Sequence, residues 1–205
     1  MEAALRLFRG EADLVLQRAR EAKAVAIDQR LAPLMDTNIL QGRALIAQGE
    51  VVDGLELIKN GSGFAGGLFG IYYRPYHLAV VSEALCGGGD YEAAAAALAE
   101  AAATMERNGE RWWEAEIRRI EGLLLLARGR TAESTACFER AMRTAQQQQA
   151  RSLELRACTS LARLLGEQGR RTEAQELLAP VYNWFTEGFD TADLKEAAAL
   201  LAELA

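Results

Sequence analysis

The chain has 205 residues, of which half are apolar and a quarter are charged, as in an ordinary globular protein. The net charge of -6 and the pI near 5.0 argue against a nucleic-acid binder, because attraction to phosphates requires a basic face. The stretch most like a membrane span, residues 64–81, is interrupted by Arg74, Pro75 and His77, so we expect no spanning helix.

The helical pattern repeats every 40 residues. Four glycines mark this period: Gly49, Gly89, Gly129 and Gly169. A leucine lies four residues before each glycine, and small residues lie seven before and five after it. Nine residues after each glycine comes a bulky apolar residue: Ile58, Leu98, Phe138 and Leu178. Apolar positions within each copy recur at spacings of three and four, which is the period of an amphipathic helix.

Each copy is predicted to be a pair of helices joined at the glycine. A glycine in the left-handed region ends the first helix with little strain. The flanking small residues lie where the two helices cross, so that the backbones approach closely, and the bulky residue fills the space beside the crossing. Such a pair cannot bury its apolar faces alone, so we expect the copies to stack.

This pattern is typical of the tetratricopeptide repeat, whose usual length is about 34 residues. We therefore predict an all-α fold in which antiparallel helix pairs, with a period of about 40 residues, form a right-handed superhelix ending in a C-terminal capping helix. The extra residues of each copy are placed at 109–112 and 146–150.

In chain order, the array begins with a partial repeat at 1–34, in which Arg6 replaces the leucine and Gly10 lies 39 residues before Gly49. Full repeats follow at about 35–74, 75–114, 115–154 and 155–189, all within a single domain spanning 1–205. After Gly188, Asp190 or Thr191 is predicted to cap a last helix at about 191–204, which seals the stack.

The three cysteines favour a cytoplasmic location. Cys86, Cys137 and Cys158 are odd in number and lack the spacing of a metal site, so we expect buried free thiols. The first residues also lack the basic flank and the apolar run of a signal peptide.

Three segments are similar to one family of signalling proteins. They are GERWWEAEI at 109–117, LELRA at 153–157 and LAPVYNWFTEGFDTADLKEA at 178–197. These segments resemble the C-terminal tetratricopeptide-repeat region of bacterial multidomain class III adenylate or guanylate cyclases that carry an AAA-like ATPase module. The resemblance covers roughly residues 70–204, and residues 1–69 match only in repeat phase.

In that family the cyclase and ATPase modules lie upstream, and the repeat region senses or binds partners. The resemblance therefore implies a regulatory arm. No residue of this chain matches the metal-binding carboxylates of the cyclase or the P-loop of the ATPase, so we expect neither a cofactor nor catalysis.

Several other motifs have a plain structural reading. The pattern Gly61-x-Gly63-x-x-Gly66 follows a helical stretch rather than a strand, which favours an irregular connection at 60–70 over a dinucleotide site. His77, the single histidine, lacks a nucleophile partner and is expected at a helix start.

Trp112 and Trp113 are expected to pack between repeats and at their junction rather than to stack on a ligand. The acidic residues of the same segment, Glu110, Glu114 and Glu116, are expected on an exposed helix start.

A partner is expected on the concave face formed by the first helix of each repeat. Spacing back from the repeat glycines places seven residues near this face: Arg43, Tyr76, Glu83, Arg119, Leu123, Arg156 and Arg163. Arginines in such a groove suit the carboxylates of an acidic peptide or of a C-terminus. Alternatively, they form ion pairs with neighbouring repeats.

The leading functional hypothesis is a non-catalytic interaction or sensor arm that binds a protein or peptide, or the upstream ATPase and cyclase domains of its own polypeptide. The alternative is a scaffold that self-associates as a homodimer or larger homo-oligomer through an uncapped N-terminal repeat. Neither hypothesis involves a nucleic-acid or membrane partner.

Overall fold

The computed structural model describes Arg6 and residues 9–29, 37–61 and 68–205, with only the backbone described at 59–61 and 68–72. Within these residues the chain is all-helical and contains no strand. The helices are Ala12–Asp28 (α1), Thr37–Ala47 (α2), Val51–Gly61 (α3), Leu68–Gly87 (α4), Tyr91–Asn108 (α5), Glu114–Ala127 (α6), Thr131–Gln147 (α7), Arg151–Glu167 (α8), Arg171–Tyr182 (α9) and Ala192–Leu204 (α10).

The helices pack in adjacent pairs, as expected for a helical repeat. α2 packs on α3, α4 on α5, α6 on α7 and α8 on α9. The first helices of the pairs also contact one another in sequence, from α2 through α4 and α6 to α8, and α10 closes this row against α8 and α9. The side chains of α4, α6 and α8 are therefore brought together although they lie about 40 residues apart in the chain.

The four repeat glycines form the turns within the pairs, which confirms the prediction from their spacing. Their φ angles are 89°, 83°, 74° and 79° in chain order. In each turn the residue after the glycine donates its N–H to the carbonyl of the column leucine, as in Asp90 to Leu85 at 3.0 Å and Arg130 to Leu125 at 2.9 Å. This is the Schellman arrangement, which satisfies the last carbonyls of the first helix.

The small residues lie at the helix crossings, as predicted. A methyl group added to Gly42 would lie 2.4 Å from the carbonyl oxygen of Gly54, so the backbones of α2 and α3 are nearly in contact. In the third pair the Ser134 hydroxyl donates to the Gly122 carbonyl at 2.8 Å, and the fully buried ring of Phe138 covers Gly122. The repeat columns of the sequence are thus packing columns of the structure.

The two ends of the described chain are in contact. The Arg9 guanidinium donates to the Asp190 carboxylate at 2.7 Å, and a methyl group on Gly10 would lie 2.9 Å from the Cβ of Ala192. The predicted capping helix is present as α10, with Thr191 at its N-cap position. The Thr191 hydroxyl donates to the Gly188 carbonyl instead of accepting from the helix. The N-terminal side of the array is therefore partly covered by the segment that precedes α10.

The connection after α3 differs from the prediction in one respect. α4 begins at Leu68, so Pro75 lies inside the helix and His77 lies in its middle, and the expectation of a helix start at His77 is wrong. Proline removes one backbone hydrogen bond there, but Pro75 is fully buried, and packing outweighs that loss. Gly63 and Gly66 of the glycine motif lie outside the described residues. None of the described helices has the length and apolar character needed to cross a bilayer.

Candidate functional site

The seven predicted face residues lie on four consecutive first helices. Arg43 lies on α2, Tyr76 and Glu83 on α4, Arg119 and Leu123 on α6, and Arg156 and Arg163 on α8. Because these helices pack side by side, their inward side chains form one surface, which we call the first-helix face. Its residues form a buried floor and the lining of an open groove, and Arg119 and Arg156 belong to both.

Glu116 lies at the centre of the floor and is only 2% exposed. Its carboxylate accepts from the Arg119 Nε at 3.0 Å and Nη2 at 2.8 Å, and the Arg156 Nη1 lies 2.8 Å from its Oε1. Arg119 Nη2 also donates to the Glu83 Oε1 at 2.6 Å. One carboxylate therefore joins α6 to α8, and its arginine partner joins α6 to α4.

The charges of this network stabilise one another. Burial alone would raise the pKa of the Glu116 carboxyl, but the attraction of Arg119, Arg156 and Arg43 outweighs it and lowers this pKa to about 2. Burial likewise opposes the charge on Arg119, and the carboxylates of Glu116 and Glu83 reverse that effect, so its pKa is raised. Glu116 and Arg119 are therefore both charged at neutral pH.

Aromatic rings extend the floor toward α2. The Arg43 Nη2 donates to the Tyr76 hydroxyl at 2.8 Å, and the Arg43 guanidinium lies 4.5 Å from the centre of that ring. The ring of Trp113 stacks on Tyr76 with 4.0 Å between centroids. Trp113 therefore packs between repeats, whereas Trp112 is 65% exposed in the turn before α6.

Glu116 was predicted on an exposed helix start, and this prediction is wrong. It does lie in the first turn of α6, but that turn packs against α8. A signal for its burial was present in the sequence. Glu116 lies 40 residues after Tyr76 and 40 before Arg156, so it occupies the same repeat column as two residues that were assigned to the face.

An open groove of about 240 Å³ lies above the floor, between α4, α6, α8 and α10. Five of the seven predicted residues line it: Glu83, Arg119, Leu123, Arg156 and Arg163. Its other lining residues are Leu126, Thr159, Ser160, Leu164, Glu167, Asp193 and Glu196. Arg43 and Tyr76 lie outside it, as parts of the floor.

The groove arginines are paired with carboxylates of neighbouring helices, as expected if they form ion pairs between repeats rather than bind an acidic partner. Arg119 pairs with Glu83, Arg156 lies 3.6 Å from Asp193, and Arg163 pairs with Glu196 at 2.8 Å. The Arg163 pair is exposed on both sides and therefore weak. Thus Arg119 and Arg156 are fixed by the fold, and Arg163 is the groove cation most able to exchange its partner.

Burial limits the reactivity of His77 and of two of the cysteines. Burial lowers the pKa of His77 to about 3, so its ring is neutral at pH 7. Cys137 and Cys158 are buried free thiols, as predicted, whereas Cys86 is only half-buried. Burial raises the pKa of Cys158 to about 12, which keeps this sulfur in the unreactive thiol form. In the described part of the chain, no group of three or more His, Cys, Asp or Glu side chains is arranged to hold a metal ion.

Comparison with known proteins found no family model, no curated protein and no solved structure that matches this chain.

Proposed function

We propose that this chain is a non-catalytic interaction module that binds an extended segment of a protein in the groove between α4, α6, α8 and α10. The observation that carries the proposal is the groove itself, an open channel of charged, hydroxyl and leucine side chains above a buried, ion-paired floor. A floor that holds its geometry before the ligand arrives reduces the ordering cost of binding.

In this proposal the stacked helix pairs form a right-handed superhelix of the tetratricopeptide type, and the groove is part of its concave face. The exact 40-residue spacing of the helices supports this: the first helices end at 47, 87, 127 and 167, and the second helices begin at 51, 91, 131 and 171. The arm then belongs to a cytoplasmic signalling protein, and the bound segment comes from a separate partner or from the ATPase and cyclase domains that the family resemblance implies.

Selection from a displayed library of random peptides tests the proposal. Ser160 lines the groove, and Ser160→Tyr would fill the groove without changing its charge. Thr135→Tyr on α7 is the matched control, since both hydroxyls donate to the carbonyl four residues earlier and both residues are half-buried. We expect the selected peptides to bind the unmodified chain and Thr135→Tyr but not Ser160→Tyr. Peptides that bind Ser160→Tyr equally well, or a library that enriches nothing above an unrelated bait, would overturn the proposal.

Self-association is a second candidate function, favoured by apolar side chains exposed on α1. Leu14, Val25 and Ile27 are 38%, 54% and 69% exposed. Against it, the Arg9–Asp190 pair covers part of the same end. Sedimentation velocity across a wide range of concentrations decides: a shift toward a larger species that is lost in Val25→Lys supports self-association, and a constant monomer refutes it.

A further inference from the structure

The groove carries more negative than positive charge. Four carboxylates and three guanidiniums line it, namely those of Glu83, Glu167, Asp193 and Glu196 against those of Arg119, Arg156 and Arg163. In the floor, Glu116 and Arg43 add one charge of each sign, so the excess remains. The whole chain, with a net charge of -6, adds a field of the same sign.

The guanidiniums of Arg119 and Arg156 are already engaged by carboxylates of the protein. Arg119 uses its Nε and Nη2 on Glu116 and Glu83, and Arg156 uses its Nη1 on Glu116. The carboxylates at the groove have fewer contacts with these arginines than Glu116 has. Glu83 accepts from Arg119 through Oε1, and Asp193 lies 3.6 Å from Arg156, beyond hydrogen-bond distance. At this distance the Arg156 Nε attracts the Asp193 carboxylate electrostatically without donating a hydrogen bond to it.

Asp193 is a groove carboxylate that an added cation would stabilise. It lies in the first turn of α10, with Arg156 on one side and Glu196 one turn further on. Burial raises the pKa of the Asp193 carboxyl, and the repulsion of Glu116 and Glu196 adds to this against the attraction of Arg156. A cation in the groove would remove part of this cost.

The apolar part of the lining suits the stem of a long basic side chain. Leu123 and Leu126 of α6 and Leu164 of α8 are the apolar residues of the lining. Lysine and arginine bury their aliphatic stems against such surfaces while the charged head seeks polar partners. A volume of about 240 Å³ holds a side chain of this kind.

We propose that the groove receives a lysine or arginine side chain of the bound segment, with Asp193, Glu196 and Glu83 as its carboxylate partners. This rests on the proposed interaction function and reverses the acidic partner suggested by the arginines in the sequence. Arg163, which pairs with Glu196, then acts as a competitor that the incoming cation displaces.

Titration of the ¹⁵N-labelled protein with amino-acid amides tests this proposal. The probes are N-acetyl-arginine amide and N-acetyl-lysine amide, with N-acetyl-glutamate amide as the anionic counterpart. We expect the cationic probes to produce saturable shifts in the amide signals of α6, α8 and α10, and the anionic probe to produce none.

Three variants test whether the groove binds a cation or an anion. Asp193→Asn and Glu196→Gln are expected to weaken binding of the cationic probes by about tenfold each, as for loss of one nearby charge. Arg163→Gln is expected to strengthen it severalfold, because it removes the competitor. Glu133→Gln on α7, where Glu133 forms an exposed pair with Arg130, is the matched control and should change nothing.

The outcomes separate this inference from the proposed function. If Arg163→Gln weakens binding, or if the glutamate probe is the one that binds, the groove takes anions and the inference is wrong. If peptide selection enriches acidic sequences that fail to bind Ser160→Tyr, the interaction function is supported and the proposal of a basic partner is wrong. If neither the cationic probes nor the library binds in the groove, both proposals fall.

Discussion

Replacing Glu116 by glutamine tests whether the buried network holds the first helices together. The substitution keeps the shape of the side chain but removes the charge that faces Arg119 and Arg156. Breaking a buried ion pair by removing one partner costs about 3–5 kcal/mol. The lowering of the Glu116 pKa, in which the attraction of Arg119 and Arg156 outweighs the effect of burial, has the same sign, because it means that the ionised carboxylate stabilises the folded chain. We expect the lower end of the range, since Glu83 and Asp193 still face the two arginines.

Urea unfolding at pH 7, followed by circular dichroism, measures this loss of unfolding free energy. In a thermal melt the same loss should lower the melting temperature by roughly 6–12 °C. The pH dependence provides a second test. Because the pKa of Glu116 is depressed in the folded state, its contribution is fully present above the unfolded pKa of about 4.3 and is lost as the pH falls toward 2. The difference in stability between the unmodified chain and Glu116→Gln should therefore narrow over that range.

The matched control for this prediction is Glu133→Gln. Glu133 pairs with Arg130 three residues earlier, as Glu116 pairs with Arg119 three residues later, but the Glu133 pair is exposed. Pairs of this kind contribute little, so its stability should hardly change. The reasoning is refuted if the two variants have the same stability, or if the deficit of Glu116→Gln is unchanged under acidic conditions.

Further substitutions test the packing and the electrostatics by urea unfolding. A methyl group at Gly122 would lie 2.5 Å from the buried ring of Phe138, so Gly122→Ala should destabilise the chain by about 1–3 kcal/mol. The same change at Gly87, at the end of α4, meets no atom within 4 Å and should stabilise it by about 0.5–1 kcal/mol. Gly129→Ala should cost about 1–2 kcal/mol, because its φ of +74° strains any residue with a Cβ. Asp193→Asn should raise the unfolding free energy: a carboxyl whose pKa is raised by burial opposes folding when ionised, and asparagine removes that charge.

The turns and crossings could be predicted from the sequence because their signals are local. A glycine in the left-handed region and a leucine four residues earlier are enough to specify a Schellman end. The small residues at fixed distances from that end then have to meet, since both helices are regular. Gly42 and Gly54 therefore lie in contact, as their columns required.

The burial of Glu116 could not be predicted from its own surroundings in the chain. Beside Glu114, in the first turn of a helix, it has the pattern of an exposed residue that complements the helix dipole. Its environment is instead set by residues of α4 and α8, which lie about 40 residues away on either side. Only the repeat column shared with Tyr76 and Arg156 carries that information.

The start of α4 was missed for a related reason. Pro75 is a strong local signal for a helix beginning, and it favoured a first helix starting beside His77. The helix begins seven residues earlier, at Leu68, and the proline is buried inside it. Tertiary packing thus overrides a local preference where the side chain at the irregular position is fully covered.

On α4, α6 and α8, one repeat column holds residues that stabilise the fold and another holds residues that line the groove. The column thirteen residues before the glycine contains Tyr76, Glu116 and Arg156, which bind one another's helices and build the floor. On α4, α6 and α8 the column six residues before it contains Glu83, Leu123 and Arg163, which line the groove, whereas on α2 the same column contains Arg43 of the floor. Substitutions in the first column should therefore change the unfolding free energy. Those at Leu123 and Arg163 should change which segment binds, because a rim side chain can be replaced without exposing a buried charge.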